Sequence, residues 1–484
     1  MKRPHEGPEA VAGSIERRCF LRGLALSSFA RLVPRRGSQL FSQIASAPPG
    51  GQELSDLVRK LLVTPDPALY AFAAGVYATC VLGRIKPPDP PLAHPWIVPG
   101  GGYFAQWLWD TMFVVDLLAL LPHQSELIRG VFQNYWDFQK RWNAEKPVSQ
   151  HGMIANFIAP FDAPAERPGS EWRRFPAYSQ APLLAWGMER VYLRNGDREL
   201  LASGLGGLES FHDWYWRERD VRGIGLVGVG AYSGDVQHAR YETYDHEVDL
   251  DGLRMTPHPG RPSGAENGSW YGDILIPANT AYLLLSELSL ARMAKVGGDP
   301  AMAARRMARY SNGARAMRAH MWSPQAGCFL SIHRDTLKQV PAATVGGFMP
   351  LLAHVPTSTQ AAVMASTLSS PAWATTLPIP TVARDNASFL PSEFWRGDTW
   401  PAPNYQVAAG LALYGHRGLA ARIADRNLAN ALRAGVSERY DSLTGDPLGV
   451  RGLGMSATTL TMALDGLTRR YNLRVRKSPT RQRS

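Results

Sequence analysis

The segment Glu393–Pro401 reads EFWRGDTWP and leads through Asn404 and Tyr405 into an apolar stretch with helical spacing. A second segment, Glu438–Gly445, reads ERYDSLTG and follows further along the chain. Two indoles around an arginine and a carboxylate suit a sugar ring, because aromatic faces cover its C–H side and charged groups hold its hydroxyls. A glutamate on the next loop would then supply the base of a hydrolysis. The alternative is that these side chains only pack the start of a helix.

Amphipathic stretches separated by loops rich in Gly, Pro and aromatic residues run through the chain from residue 53 onward. Apolar residues recur at helical spacing, as at Leu284, Leu288 and Ala291. Strand-like alternation is scarce. The pattern predicts twelve helices, near residues 67–82, 107–121, 124–142, 178–195, 197–216, 275–296, 301–321, 347–354, 358–368, 402–414, 417–434 and 456–471.

Twelve helices in antiparallel pairs are what an all-α (α/α)6 toroid of six inner and six outer helices requires. No low-complexity linker divides the chain after residue 50, so a single domain is expected over residues 48–484. Long loops between the helix pairs hold many of the Trp, Tyr, Asp and Glu residues. Any functional site is therefore expected in the loops, with the helices as its scaffold.

The net charge of +11 would suit a nucleic acid partner, but its location argues against one. Residues 1–47 contain 8 Lys/Arg and 3 Asp/Glu, and residues 469–484 contain 7 Lys/Arg and no acid. The remaining body holds 37 basic and 38 acidic residues. Because this globular part is neutral, its charge argues against a phosphate-binding surface, and no nucleic acid partner is expected. The basic tail is most simply a solvated C-terminus.

The N-terminal segment is typical of an export address. Glu16–Arg22 (ERRCFLR) is similar to the twin-arginine signal. A weakly apolar stretch follows, interrupted by Arg31 and too short to span a membrane, and small residues ending at Ala47 suit a cleavage site. Residues 1–47 are therefore predicted to be a twin-arginine signal, read by the export machinery, that delivers the protein to the periplasm or beyond. A disordered basic N-terminus is the alternative.

Cysteine and acidic spacings point to no metal site. Cys80 and Cys328 each lie among apolar residues, so both a disulfide and two buried thiols remain open. The alternating oxygens of residues 247–252 have some likeness to a calcium loop, but its twelfth position is His258 rather than Glu. A solvated loop is favoured over a cation site, and no metal ligand set is predicted.

Taken together, the two C-terminal segments resemble the catalytic signature of glycoside hydrolase family 63 and its relatives, the trehalases and mannosylglycerate hydrolases. Those proteins are inverting α-glycosidases built as a toroid of paired helices. The resemblance covers residues 95–470, in which several weaker landmarks follow in the family's order. It implies an α-linked glucoside or mannoside as substrate, no organic cofactor and, we expect, a monomer.

An upstream motif extends the resemblance. Gly102–Phe113 (GYFAQWLWDTMF) is similar to the family stretch Trp-x-Trp-Asp-Ser/Thr-x-Phe, which contributes to the sugar pocket. In this role Asp110 would accept hydrogen bonds from sugar hydroxyls, and Trp107 or Trp109 would stack on the ring. The alternative is that Asp110 caps the helix that follows it and that the indoles belong to the core.

Further landmarks supply more sugar contacts. Tyr178–Leu184 (YSQAPLL) matches the family, and Gln180 within it is predicted to begin a helix, as a cap-region residue or as a sugar contact. In the C-terminal signature, the resemblance assigns the subsite of the cleaved sugar to Trp395, Arg396, Gly397 and Trp400. One departure is Asp398, which stands where the family often has proline. The base is Glu438, which matches the family's Glu-x-Tyr-Asp-x-x-Thr-Gly.

The general acid is expected in Ala239–Glu247 (ARYETYDHE), which resembles the family stretch Ala-Arg-Tyr-Glu-Ser-Gly-x-Asp-Asn-Ser. Here one residue is missing between Glu and Asp, and His-Glu replaces Asn-Ser. The resemblance makes Asp245 the leading acid, with Tyr241 and Glu242 beside the sugar. Aromatic walls and a neighbouring carboxylate would raise its pKa and keep it protonated. The competing acids are Asp235 and Glu266.

Two other interpretations remain open at this stage. Toroids also host polysaccharide lyases and unsaturated-uronyl hydrolases, for which Tyr241 and His238 are conceivable bases. Such a lyase would release an unsaturated product that absorbs ultraviolet light. Alternatively, the altered acid motif would suit a carbohydrate-binding relative without turnover.

Export is expected to depend on the paired arginines, because the receptor reads them as an address. We predict that Arg17→Lys together with Arg18→Lys leaves the full-length precursor in the cytoplasm, measured by fractionation and intact mass. The second arginine pair, Arg35 and Arg36, provides the control, since the same replacement there leaves the motif intact. Normal periplasmic accumulation of the Arg17/Arg18 variant, processed after Ala47, would contradict the prediction.

Overall fold

Apolar stretches at helical spacing become the helices of the structure. The computed structural model of the protein describes residues 51–160, 179–220, 222–228, 274–387 and 389–476. In chain order the α-helices are α1 (Gly51–Leu61), α2 (Pro67–Val76), α3 (Leu108–Leu118), α4 (Ser125–Glu145), α5 (Leu184–Asn195), α6 (Arg198–Arg219), α7 (Pro277–Val296), α8 (Pro300–His320), α9 (Ser358–Leu368), α10 (Pro401–Leu413), α11 (Arg417–Ala434) and α12 (Thr458–Leu464). Two 3-10 helices that matter for the fold are Val345–Leu351 and Gly454–Ala457.

Local sequence signals begin several of these helices. Asp66, Asp197 and Asp299 accept hydrogen bonds from backbone N–H groups in the first turns of α2, α6 and α8. Thr357 and Gln360 form a reciprocal capping box at the start of α9. These contacts satisfy N–H groups that have no partner inside the helix. Proline also occupies the first turn of α2, α7, α8 and α10, where its missing N–H is not needed.

Strands in the described part of the chain are only two to five residues long and form antiparallel pairs. They hold loops together between helices rather than build a sheet of their own. The pairs are β1 (Leu62–Val63) with β12 (Arg474–Val475), β2 (Ile85–Lys86) with β3 (Trp96–Ile97), β4 (Gln106–Trp107) with β5 (Phe157–Ile158), β6 (Ile274–Leu275) with β9 (Ile332–His333), β7 (Trp322–Ser323) with β8 (Cys328–Phe329), and β10 (Ser437–Tyr440) with β11 (Pro447–Arg451).

Six inner segments organise the core. They pack successively in the order α3, α5, α7, the 3-10 helix Val345–Leu351, α10 and residues 454–464, and the last packs against α3. Most of their residues are buried on all sides, so these segments lack the polar face of a surface helix. The helices between them pack outside: α6 against α5, α8 against α7, and α11 against α10. Three of the inner helices thus each pair with the helix that follows them in the chain, as the sequence predicts.

The N-terminal ends of α7 and α10 lie at a common level. The hydroxyl of Tyr282 donates to Gln406 Oε1 at 2.9 Å, and these are the sixth residues of α7 and α10. The first turn of α3 similarly donates a backbone hydrogen bond to the segment before α5. Loops that enter the inner segments are therefore brought together at one end, which is where the candidate site lies.

A buried ionic cluster joins four inner elements toward the C-terminal end of α3 and α5. Arg190 and Arg194 on α5 both contact Asp116 on α3 and Asp465, which directly follows α12, at 2.7–3.1 Å. Tyr405 on α10 donates to Asp465 at 2.8 Å. Burial by itself raises the pKa of Asp116, but the two guanidinium groups outweigh it and lower the pKa to about 2.

Several helix boundaries differ from expectation. The predicted helix near 178–195 begins only at Leu184, because Pro182 disfavours helical backbone at the residue before it. The predicted helix near 347–354 is a 3-10 helix with Pro350 inside it. The last predicted helix ends at Leu464 rather than 471, just before the left-handed Gly466. The helix α1 was not predicted, since its buried stripe is short: Leu54, Val58 and the following Leu62.

Two remaining features bear on the alternatives left open by the sequence. Cys80 and Cys328 are both buried free thiols, and burial raises the pKa of Cys328 to about 12. The disulfide alternative is therefore not realised. Within the part of the chain that the structure describes, no helix combines the length and apolar character needed to cross a membrane.

Removing one carboxylate from the ionic cluster should strongly destabilise the fold. Asp116→Ala leaves two largely buried guanidinium groups with a single carboxylate partner, so we expect a loss of about 3–5 kcal/mol in the free energy of unfolding. The control is Asp335→Ala, which breaks the exposed pair with Arg334 and should cost about 1 kcal/mol or less. Denaturant unfolding of the two variants measures both values, and equal losses would contradict a structural role for the cluster.

Candidate functional site

Nine of the predicted site residues fall within the described part of the chain. One group lies on or near the start of α3. The other lies in the segment that precedes α10 and in the strand that follows α11. The described residues are Trp107, Trp109, Asp110, Gln180, Trp395, Arg396, Gly397, Trp400 and Glu438. The predicted acid Asp245 and its competitors, together with Tyr241, Glu242 and His238, lie outside the described residues, as does the calcium-like loop.

Glu438 is buried and held at both carboxylate oxygens. It lies on β10 and is 4% exposed. The Tyr103 hydroxyl donates to Oε1 at 2.7 Å, and the Val450 backbone N–H donates to Oε2 at 2.9 Å. Each oxygen keeps a second lone pair, so the carboxylate can still accept a proton or a further hydrogen bond. Its orientation is nevertheless fixed by two donors from opposite ends of the chain.

Two glycines allow this close arrangement. Gly449, which lies in the β10–β11 hairpin, has a φ of 69°, and a Cβ there would overlap with the Glu438 carboxylate. Gly101 has a φ of 58°, and a Cβ there would overlap with the Val450 side chain. Only glycine adopts such backbone without strain and leaves this space open. The loop that carries Tyr103 can therefore approach the hairpin that carries Glu438.

Asp110 shares the electrostatic environment of Glu438. It lies in the first turn of α3 and is 9% exposed. Burial raises the pKa of Asp110 to about 7, and the negative charge of Glu438 adds to the rise. Burial and the same charge also raise the pKa of Tyr103 well above its usual value, so its hydroxyl remains a donor. The site thus holds one oriented carboxylate and a second carboxyl that is protonated in part near neutrality.

The two indoles near α3 have different surroundings. Trp107 is half-buried, lies edge-on to Tyr103 with ring centroids 5.8 Å apart, and packs on Phe157 at 4.9 Å. Its Nε1 has no hydrogen-bond partner among the described residues. Trp109 is 2% exposed and packs edge-on against Phe113 at 5.1 Å. Of the two, only Trp107 borders the Tyr103–Glu438 pair, whereas Trp109 belongs to the core.

The Gln180 side chain contacts the backbone at the start of α3. Its side-chain carbonyl accepts a hydrogen bond from the Trp109 backbone N–H at 2.9 Å, in the first turn of α3. It therefore supplies the missing acceptor at the start of α3, and it does not begin a helix itself, since α5 starts at Leu184. This contact positions Trp109 and the adjacent Asp110.

Trp395 and Trp400 form one stacked unit. Their ring centroids are 4.2 Å apart with nearly parallel planes, and Phe394 packs edge-on against Trp400 at 5.3 Å. Both indoles are buried, at 2% and 3% exposure. Trp395 has a φ of 54°, a left-handed backbone that bulky residues rarely adopt. Such strain persists only where the surroundings impose it, and it is frequent at functional sites.

The neighbouring Arg396 and Gly397 complete this segment. Arg396 is half-buried, and its backbone carbonyl accepts a hydrogen bond from Leu390 N at 2.6 Å. Gly397 has a φ of 138° and donates its N–H to Thr381 Oγ1 at 2.9 Å. A Cβ at Gly397 would overlap with Phe389. Gly397 therefore allows the backbone conformation of the turn between the two tryptophans.

Sequence reasoning missed two features of this region. Tyr103 belongs to a motif that the sequence singles out, but nothing in the sequence indicates that it contacts a glutamate 335 positions away. Asp398 and Arg439 form a buried ion pair at 3.1 Å, although the sequence marks Asp398 only as a departure from a family pattern. The available signals were that Tyr103 lies in the same motif as Trp107 and that Asp398 and Arg439 directly follow predicted site residues in the sequence. Chemically, the region combines an oriented base, a second carboxyl and an aromatic surface.

The chain resembles known sugar hydrolases over most of its length. The profile described as the mannosylglycerate hydrolase MGH1-like glycoside hydrolase domain matches residues 103–457. Mannosylglycerate hydrolase from Thermus thermophilus is 25% identical over 410 residues, which cover 74% of this chain and 94% of that protein. Periplasmic trehalase from Citrobacter koseri is 22% identical over 396 residues, covering 72% of this chain and 61% of the trehalase.

A solved structure shares the fold. The crystal structure of GH63 mannosylglycerate hydrolase from Thermus thermophilus in complex with glucose aligns with a TM-score of 0.62 at 22% identity. The alignment covers 80% of this chain and 98% of that structure. Helix content and this likeness confirm the predicted all-α, (α/α)6 toroid class.

Neutralising Asp110 should stabilise the protein at high pH. The pKa of Asp110 is raised to about 7 in the folded state, against about 3.9 in an unfolded chain. As pH rises between these values the unfolded chain releases its proton first, so wild type loses stability. Asp110→Asn escapes this loss. The difference in unfolding free energy between Asp110→Asn and wild type should therefore favour the variant more at pH 8 than at pH 5, by about 1–3 kcal/mol. This difference should level off above about pH 7.

Thermal or denaturant unfolding at several pH values measures this difference. The control is Asp335→Asn. The Asp335 side chain is 55% exposed, so this variant should show no such pH dependence relative to wild type. An Asp110→Asn variant that gains nothing between pH 5 and pH 8 would show that Asp110 is charged without penalty in the folded protein.

Proposed function

The chain belongs to the mannosylglycerate hydrolase MGH1-like glycoside hydrolase family, and on this premise we propose that it hydrolyses an α-linked glucoside or mannoside with inversion, Glu438 acting as general base. The observation that carries the proposal is the buried Glu438 carboxylate, oriented by Tyr103 and Val450 beside Asp110. A base must be held within hydrogen-bond reach of the water it deprotonates, and two fixed donors restrict its orientation without using all of its lone pairs.

Asp245 is proposed as the general acid that protonates the leaving oxygen. The support is its place in the ARYETYDHE motif, with Asp235 and Glu266 as the other candidates. An inverting site needs room for a water between the base and the anomeric carbon, so the two carboxyl groups should stand roughly 6.5–9.5 Å apart. A retaining site would bring them to about 5–5.5 Å.

In this proposal the sugar is bound against aromatic surface and hydrogen-bonded by polar groups. Trp107 is the half-buried indole beside the base, and Asp110 offers two oxygens to sugar hydroxyls. The Trp395–Trp400 unit and Arg396 would border the same sugar, and Gly397 would shape their turn. No organic cofactor is required, because acid, base and water complete the hydrolysis.

The names of the relatives support a proposal for the substrate class. Mannosylglycerate hydrolase and trehalase are named for small α-glycosides, so we propose a small mannoside or glucoside rather than a polymer. A screen of α-linked disaccharides, mannosylglycerate and short oligosaccharides, read by released monosaccharide, distinguishes these. A lyase would instead give a product that absorbs ultraviolet light.

The place of action is proposed to be the periplasm or the exterior. The twin-arginine-like segment Glu16–Arg22 supports export, and the similarity to a periplasmic trehalase agrees with it.

The neutral charge of the globular body supports a carbohydrate rather than a nucleic acid partner. A monomer is proposed, which sedimentation of the mature protein tests.

Stereochemistry and two carboxyl substitutions test the mechanism. The first sugar released from an α-linked substrate should be the β-anomer, observed by proton NMR before mutarotation. Glu438→Gln and Asp245→Asn should each lower kcat by about two to four orders of magnitude, as expected for the loss of base or acid assistance. The amide variants keep the size of the side chain and remove only its proton chemistry.

The control is Glu393→Gln, an acid on the loop of the aromatic unit that the mechanism does not use, and its kcat should stay close to that of wild type. An initial α-anomer would contradict inversion. Full turnover by Glu438→Gln would remove Glu438 from the mechanism and favour another base. If Asp245→Asn keeps turnover while Asp235→Asn or Glu266→Gln loses it, the acid assignment moves and the rest of the proposal stands.

A further inference from the structure

Asp398 is a fully buried acid. Its contacts join the stacked pair Trp395 and Trp400, called the aromatic unit below, to β10, the strand that carries the proposed base Glu438. The relative exposure of Asp398 is 0%. Oδ1 accepts from Thr381 Oγ1 at 3.0 Å, and Oδ2 accepts from both Trp400 Nε1 at 2.9 Å and Arg439 Nη1 at 3.1 Å. Each donor comes from a different loop or strand. The carboxylate is thus the common acceptor of the indole, the guanidinium and the hydroxyl.

Its partners are placed directly beside the predicted catalytic and sugar-binding residues. Trp400 stacks on Trp395, so a fixed Trp400 plane also fixes the plane of Trp395. Arg439 follows Glu438 on β10, where the pairing with β11 is irregular, and the contacts of the two side chains show that they point in different directions. Glu438 therefore turns toward Tyr103, while Arg439 turns back toward Asp398 and lies 5.3 Å above the ring of Phe394.

Backbone pairing strengthens the same connection. Thr399 and Tyr440 exchange both of their backbone hydrogen bonds, at 2.8 and 2.9 Å. The segment that carries the tryptophans is consequently aligned with the strand that carries the base. Backbone bonds set the position of these segments, but they leave the rotation of the Trp400 indole about its own side-chain bonds open. The hydrogen bond to Asp398 Oδ2 specifies that rotation through a polar contact.

Net stability is a poor explanation for this charge. Burial raises the pKa of Asp398 to about 7, and Arg439 with the hydrogen bonds only partly offsets it. Buried ion pairs commonly contribute no more stability than apolar residues of similar size, because desolvation cancels the attraction. What a buried pair can supply is a specified geometry. The geometry specified here is that of the aromatic unit relative to β10.

We propose that Asp398 is a positioning residue for substrate binding, which sets the orientation of the Trp400–Trp395 unit relative to Glu438 by holding the Trp400 indole N–H and the Arg439 guanidinium together. This inference rests on the proposed function, in which the tryptophans border the sugar and Glu438 is the base. Asp398 itself touches no reacting atom. Its effect should therefore appear mainly in KM, with Glu438 still oriented by Tyr103 and Val450.

Steady-state kinetics on the substrate that wild type cleaves test the proposal. Asp398→Asn keeps the size of the side chain but loses the charge that faces Arg439, and we expect KM to rise about 5–20-fold while kcat changes by less than about threefold. Trp400→Phe removes the indole N–H and should raise KM to a similar extent. If Asp398 acts through Trp400, the double variant should show little more than the larger single effect, since the two substitutions break one connection.

The matched control is Asp197→Asn. Asp197 is also a buried aspartate paired with an arginine, Arg129 at 3.1 Å, and it caps α6 away from the site. This variant should leave KM unchanged even where it lowers the melting temperature. Should Asp398→Asn fail to fold, Arg439→Met breaks the same ion pair from its less buried side and should give the same rise in KM.

Three results would overturn the inference. The first is a KM for Asp398→Asn within twofold of wild type, and the second is an effect on KM no different from that of Asp197→Asn. The third is a double variant with Trp400→Phe whose KM is the product of the single effects. Glu438→Gln separates the two levels: if it is inactive while Asp398→Asn is unchanged, only this inference fails. If Glu438→Gln is fully active, the proposed function fails first.

Discussion

The buried cluster of Arg190, Arg194, Asp116 and Asp465 is the constraint on which the inner ring depends. Apolar burial is non-directional, so by itself it specifies the register between two helices less sharply than paired charges do. Buried charges do not tolerate a shift in register, since each unpaired charge carries a large desolvation penalty. The cluster unites α3, near the beginning of the ring, with the residue that follows α12 at its end. It therefore specifies the register in which the first and last inner segments meet.

That register also determines where the candidate site is assembled. Asp110 and Asp116 lie on the same helix, six residues apart, so about 9 Å of axial rise separates the ionic cluster from the site. When the cluster sets the position of α3 against the last inner segment, it brings Tyr103 to Glu438 across a sequence separation of 335 residues. The site is thus made by ring closure, with glycines at 101 and 449 leaving room for the approach.

The site itself works against stability. A partly protonated Asp110, a buried Glu438, a left-handed Trp395 and a buried Asp398 all have a free-energy cost that a purely structural core would avoid. Such groups persist when the surrounding scaffold supplies a surplus of stability and when their geometry serves a function. The large apolar core provides that surplus away from the site.

Much of this protein could be predicted from its residues. Helical periodicity predicted the all-α class and most helices, and the spaced motifs predicted the family. The assignment of Asp110 and Glu438 to one site stays a prediction, and the structure brings the two carboxyl groups within electrostatic reach of each other. Local sequence determines the class and the helices because propensity, capping and burial patterns act over a few residues. Other features were decided only by tertiary structure: the partnership of Tyr103 with Glu438, the core position of Trp109, the role of Gln180 at another helix and the pairing of Asp398 with Arg439. Each of these contacts depends on which distant segments of the chain meet. The packing of the first inner segment against the last determines that, and no local sequence pattern does.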